Sequence, residues 1–180
     1  MSTPKIFKNS IASTGLFLIS VYVLVMIISV FWLPFDPLDM NSKHLLEAPS
    51  FTTGHLFGTD EFGRDILSRI MKGTTVSLVI SVLATALGGI IGVLMGIWAG
   101  YLGGRWDNWI MRFADILFSF PSLLLAIFVM AVLGEKTYNV IIAIGIVYIP
   151  QFARVSRGAI LVLKSNEFIR AARSNGAGRS

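Results

Sequence analysis

The chain contains no cysteine. That absence excludes a disulfide framework, thiolate metal ligation and a cysteine nucleophile. Charge is scarce as well: Asp, Glu, Lys and Arg make up 14% of the 180 residues, against roughly 25% in an average soluble domain. Histidine occurs only as His44 and His55. What is abundant is apolar surface, carried by 54% of the residues. A soluble fold of this size has too little interior to hide so much apolar surface beneath so few charges. A water-soluble enzyme and a disordered tail are both excluded. An all-α integral membrane protein is expected, because helices satisfy their own backbone groups in lipid.

The membrane spans lie where charge is missing. Asn9 to Phe35 is a 27-residue stretch without Asp, Glu, Lys or Arg, and Gly73 to Gly104 is another of 32. Ile116 to Gly134 adds 19 and Thr137 to Ala153 adds 17. About 20 residues of helix cross a hydrocarbon core of about 30 Å. The expectation is four transmembrane helices at about 11–33, 76–100, 110–133 and 138–153. The third must begin near Trp109, which puts Arg112 and Asp115 at its membrane end. Tyr138 and Tyr148 suit the interfaces of the fourth. The first run is too long for the apolar region of a signal peptide and leads into Trp32-Leu33-Pro34-Phe35, so it reads as an uncleaved anchor.

Orientation follows from Lys and Arg. With the N-terminus inside, ten basic residues are inner and five outer, and seven of the ten acids are outer. The overall +5 thus divides into +8 inside, −1 at the edge (Asp115) and −2 outside. The basic pI of 9.8 is a positive-inside pattern; no groove-reading or stacking module accompanies it, so no nucleic-acid partner is expected. Membrane lipid is the implied surroundings. The domain reading is a tail and first helix over 1–33, an extracytoplasmic segment over 34–75 and a membrane core over 76–180.

The outer segment carries Pro34, Pro37 and Pro49, then changes character at Phe57-Gly58-Thr59-Asp60-Glu61-Phe62-Gly63-Arg64-Asp65. Thr59 or Asp60 is expected to cap a helix start and Gly63 to punctuate a turn. Ile66, Leu67, Ile70 and Met71 share one face of a short amphipathic surface helix over 64–72, on which Asp65 and Arg69 pair. Asp60, Glu61 and Asp65 do not form a calcium-loop pattern. Neither histidine stands at a ligand spacing beside them, so no metal site is expected.

In the second span, Ala84, Gly88, Gly92, Gly96 and Gly100 recur every fourth residue and form one smooth face for a close helix neighbour. That neighbour is either a partner subunit or a helix of the same chain. Arg112 and Asp115, three apart, are expected to pair at the membrane edge. Pro121 should bend or loosen the third helix, and Pro150 should end or kink the fourth. Beyond it, Arg154, Arg157, Lys164 and Glu167 to Gly176 form a basic, helix-prone segment too charged to enter lipid.

From about Trp32 onward the sequence resembles the inner-membrane permease subunits of ABC importers for dipeptides, oligopeptides or nickel. The resemblance rests on Gly58-Thr59-Asp60 with Gly63-Arg64-Asp65, and on Ala99-Gly100-Tyr101-Leu102-Gly103-Gly104-Arg105-Trp106-Asp107. Met111-Arg112-Phe113-Ala114-Asp115, Phe120-Pro121 and Arg154-Val155-Ser156-Arg157 fall in order after them. Its most specific part is the start of an E-A-A loop, Glu167 to Ala177, with Ala171-Ala172-Arg173 and Gly176 kept and Arg170 where the family has its naming glutamate.

By resemblance, that loop is a coupling helix seated in a cytoplasmic ATPase, with Ala171, Ala172 and Gly176 in close contact. The resemblance further implies a six-helix permease fold of which four helices are present, the chain stopping inside the loop. It implies an inner-membrane importer of peptides, or alternatively nickel, with a second permease subunit, cytoplasmic ATPase subunits and an extracytoplasmic substrate-binding protein. No Walker-A sequence is present, so no cofactor is expected in this chain, and ATP belongs to the partner ATPase. A rival of another class is a non-transporting membrane scaffold. An intramembrane enzyme lacks a nucleophile–base pair.

Overall fold

Long charge-free runs without internal breakers favour helix wherever water cannot compete for the backbone, and helix dominates the structure. The computed structural model describes residues 10–166. Five helices follow in order: α1 (Ser10–Phe31), α2 (Ile66–Leu102), α3 (Gly104–Ser119), α4 (Ser122–Leu133) and α5 (Thr137–Ser165). The described residues contain no strand; Thr59 and Asp65 form one isolated antiparallel bridge. The chain divides into two compact units, Met1–Val79 and Ile80–Ser180, and α2 begins in the first and ends in the second.

In the first unit, α1 is apolar all round and most of its side chains are exposed, including Phe17 at 66% and Ile19 at 64%. A helix of this kind without a protein partner on most faces is suited to lipid. Its one buried residue is Ser29, whose hydroxyl meets that of Thr75 on α2. The expected surface helix over 64–72 does not exist as a separate element; residues 66–72 form the first turns of α2. Asp65 is the cap: its Oδ2 accepts the Ser68 backbone N–H at 2.7 Å and the Ser68 hydroxyl at 2.6 Å. The only breaker before Thr75 is Gly73, which costs a helix interior about 1 kcal/mol and does not stop it. The resulting 37 residues extend about 55 Å, well beyond a bilayer core of about 30 Å.

In the second unit, α5 is the central element, with α3 and α4 both packed on it. The expected single span over 110–133 is two helices, α3 and α4, bent by 92° at their junction. Pro121 disfavours helical backbone at Phe120, which is extended (φ −83°, ψ 137°), and it offers no N–H to bridge the break. Pro150 has the opposite outcome. It lies fully buried inside α5, which runs on to Ser165 rather than ending near 153. Arg154 to Ser165 continue as helix because Arg154, Arg157 and Lys164 find partners on neighbouring elements. Among the described residues three helices are long and apolar enough to cross a membrane, and a fourth crossing results if the bent α3–α4 pair is one span.

Candidate functional site

The glycine face of α2 meets α5 of the same chain. A methyl carbon added at Gly88 would lie 2.5 Å from the Gly145 carbonyl oxygen and 2.8 Å from Tyr148 Cβ. At Gly92 it would lie 2.5 Å from the Ile149 oxygen, and at Gly100 2.8 Å from Ile160 Cβ. At Gly96 it would collide with Ser156 Oγ and the Ala153 carbonyl. Ala84 is fully buried at the head of this stripe, and Gly145 faces its carbonyl. The five small residues singled out in the sequence therefore serve an intramolecular contact, and they give no support to a partner-subunit contact at this face.

At the far end of the same contact, three cations of α5 are tied down. Arg157 donates from Nε and Nη2 to the two carboxylate oxygens of Asp107 on α3, at 2.5 and 2.7 Å. A two-pronged, charge-assisted pair of this kind fixes orientation as well as distance. Lys164 donates to the carbonyl oxygens of Gly100 (2.6 Å) and Tyr101, the last turn of α2, where a cation satisfies free carbonyls and the helix dipole together. Arg154 donates to Asp115 at 2.8 Å and lies over the Phe118 ring at 4.2 Å.

The expected Arg112–Asp115 pair is thus replaced. Asp115 turns to a cation on α5, beside the fully buried Ala114 that marks the packed face of α3, while Arg112 forms no ion pair among the described residues. Both members of the Arg154–Asp115 pair are about half exposed, so its contribution is small. Asp107, Arg157 and Lys164 were not paired by sequence reasoning, because partners 50 and 64 positions apart share no local period. Glu167, Arg170, Ala171, Ala172, Arg173 and Gly176 lie outside the described residues.

At the bend between α3 and α4 there is a cavity of about 630 Å³. Its wall is mostly apolar (Phe118, Phe120, Leu123, Ile144, Val147), with Ser122, Tyr148 and Gln151 as the polar groups. Asn139, a second residue that no pattern singled out, is buried at the other end of α4. It donates from Nδ2 to the Leu133 and Gly134 carbonyls at 2.7 and 2.9 Å, holding the α4–α5 turn.

The motif between α1 and α2 is a hydrogen-bonded knot. Asp60 Oδ1 accepts the backbone N–H groups of Phe62 (2.9 Å) and Arg64 (3.0 Å), while Oδ2 accepts from Arg64 Nε (2.8 Å) and Arg69 Nη1. Arg69 therefore pairs with Asp60 rather than with Asp65. Gly58 (φ +76°) and Gly63 (φ +74°) adopt left-handed backbone, and a side chain at either would strike the carbonyl of Glu47 or Asn41. Thr59, expected as a cap, instead joins two loop strands: its hydroxyl donates to the His44 carbonyl and accepts the Glu47 N–H. Asp65 Oδ1 receives His55 Nδ1 at 3.1 Å, which brings a histidine to the acidic motif that sequence spacing kept apart.

Partial burial alone would raise the Asp60 pKa, but the donated backbone bonds of Arg64 and Phe62 and the Arg64 charge outweigh it and hold the carboxyl at about 2. Asp65 is lowered too, burial being outweighed by the bonds from Ser68 and His55. Both folded values lie below the ordinary carboxylate value of 3.8. The stabilisation they give is therefore fully present above that value and is lost as pH falls toward about 2. Thermal unfolding of the purified chain should show a midpoint that is level above pH 5 and falls on acidification from pH 4 to 2, with Asp60→Asn reducing the fall. An acid profile unchanged by that substitution would contradict the assignment.

A chain whose described part is apolar helices, three able to cross a membrane and a fourth crossing broken at a proline, is a multi-pass helical membrane protein. Residues 92–180 match the family described as binding-protein-dependent transport system inner membrane component. The chain is 44% identical over 161 residues to the glutathione transport system permease protein GsiD of Pectobacterium atrosepticum, covering 87% of this chain and 53% of that protein. It is 45% identical over 159 residues to GsiD of Escherichia coli, covering 86% and 52%. To the dipeptide transport system permease protein DppC of Alkalihalophilus pseudofirmus it is 41% identical over 170 residues, covering 94% and 55%. Residues 92–180 thus carry the inner-membrane component domain of binding-protein-dependent transport systems, and the chain is similar to permease subunits of that kind. It spans about half the length of the curated relatives it matches.

Proposed function

We propose that this chain is part of the membrane-spanning subunit of an ATP-driven importer that carries short peptides into the cell. Its relatives are named for glutathione and dipeptide transport, which favours a peptide cargo over nickel. ATP would be bound and hydrolysed by separate cytoplasmic subunits, a second permease would complete the pathway, and a binding protein would deliver cargo from outside. In this arrangement the N-terminus is cytoplasmic, the Asp60 knot is external, and Glu167 to Gly176 enters the ATPase.

The observation that carries the reading is the clamp at the foot of α5. Arg157 on Asp107 and Lys164 on the end of α2 join three elements immediately before the coupling segment. A push on that segment is then delivered to α2, α3 and α5 together rather than bending one helix end. ATP binding would bias the bundle between inward-open and outward-open states through that joint.

The test is reconstitution in proteoliposomes with the partner permease, ATPase and binding protein. Ala172→Trp and Gly176→Trp should each lower peptide-stimulated ATP hydrolysis and peptide uptake at least tenfold and release the ATPase during purification. Uptake and co-purification at wild-type levels in both variants would refute the coupling role.

A further inference from the structure

The segment between α1 and α2 brings together three metal-binding side chains that serve none of the contacts described for transport. The ligand atoms of His44, Glu47 and His55 all lie within 4.8 Å of one another. His44 and His55 border a recess of about 220 Å³ whose wall also includes Asp36, Asp39 and Asn41. Two further observations point to a cation rather than a simple polar cluster.

The first is an orphaned acceptor. Glu47 Oε1 is engaged by His44 Nδ1 at 2.6 Å, but Glu47 Oε2 is buried without any hydrogen-bond partner. A carboxylate oxygen removed from water and left unpaired is costly, and a bound cation removes that cost. The second is the state of His55. Its Nδ1 faces the Asp65 carboxylate at 3.1 Å, and that carboxylate is itself fixed by the Ser68 hydroxyl and N–H. An ionised carboxylate only accepts, so Nδ1 is the donor to Asp65 and Nε2 is the ring nitrogen that Asp65 leaves unengaged. A carboxylate behind an imidazole is the outer-shell support that metal-bound histidines commonly have. Phe35 stacks on the His55 ring at 4.4 Å and holds its plane.

We propose that His44, Glu47 and His55 form a binding site for a divalent transition-metal ion of the zinc or nickel kind. Two imidazoles and one carboxylate suit these ions, whereas calcium and magnesium prefer all-oxygen sets. Donors around a tetrahedral ion at about 2.1 Å are about 3.4 Å apart. The cluster therefore needs a closure of at most about 1.4 Å, which the part-exposed side chains of His44 and Glu47 permit. The ion would staple the loop around Asn41–Glu47 to the one leading into the Asp60 knot, beside the Thr59 bonds that already join them. The proposal concerns a resident ion and is independent of the transport reading.

The experiment uses the whole chain, purified in detergent without a histidine tag and stripped with a chelator. Zn²⁺ is titrated against a chromophoric competitor, and Co²⁺ serves as an absorption probe of nitrogen and oxygen ligation. One equivalent should bind with a micromolar or tighter Kd, and affinity should weaken on acidification as protons compete for the ligands. Glu47→Gln and His44→Gln should each weaken binding at least about tenfold. Helix content by circular dichroism should be unchanged, since neither side chain contacts a helix in the observed bonds. Asp39→Asn, on the recess wall but outside the ligand set, should change affinity less than about threefold. Binding below a tenth of an equivalent, or equal affinity in wild type, Glu47→Gln and His44→Gln, would overturn the site.

Discussion

Replacing Gly96 by leucine is expected to destroy the packing of α2 on α5 and leave little folded chain. The added carbon would enter space held by the Ala153 carbonyl and Ser156 Oγ, with the Arg157 N–H at 2.9 Å. Two of these three obstacles are backbone, so a rotamer change cannot relieve them. Overpacking a tight site costs about 1–3 kcal/mol where side chains can yield, and a backbone collision belongs at or above the top of that range. Forcing the helices apart would also remove the close contacts at Gly92 and Gly100 on the same face. The expected result is loss of the monodisperse species in detergent and a thermal midpoint too low to define. Gly158→Ala, where nothing lies within 4 Å, is the matched control and should leave the midpoint equal or slightly higher. A well-folded Gly96→Leu chain would mean that α2 and α5 do not touch as described.

The second large effect concerns Arg157 and Asp107. Arg157→Ala strands a carboxylate that is 13% exposed, and Asp107→Ala strands a guanidinium that is 33% exposed. Breaking a fully buried pair costs about 3–5 kcal/mol and an exposed pair below about 1, so each single substitution should cost about 2 kcal/mol. The double variant should cost little more than either single one, because the second change removes a group already left unpaired. Denaturant unfolding of the four chains closes this cycle. Additive losses would show that the two residues act separately. On the proposed importer reading, the same variants should lower coupled uptake more than they lower ATPase retention. That pattern separates a loosened joint from a lost docking site.

Much of this architecture is legible in the sequence because the relevant physics is local. Charge-free runs announce the helices, and a four-residue period of glycine announces a close neighbour. Gly63 announces a turn. Local reasoning failed where two signals competed. Pro121 breaks its helix because Phe120 goes extended beside it, whereas Pro150 is carried through because α5 continues into partners on α2 and α3. No single-residue propensity separates those two prolines.

Pairing is where the sequence falls silent. Asp115 has an arginine three positions before it and takes another 39 positions later, since Arg154 approaches on the packed face. Asp65 has Arg69 one turn ahead and is held instead by Ser68 and His55, because as the cap of α2 its carboxylate points back to the first turn. The sequence by itself determined that this chain lives in a membrane, roughly where it crosses, and which helix face would be smooth, because each depends on composition or on a period along one element. Only the tertiary structure decided that the smooth face belongs to α5 of the same chain, which charges are paired, and that two histidines and a glutamate converge in one loop. Those facts depend on distances between residues far apart in the chain, and no local period encodes them.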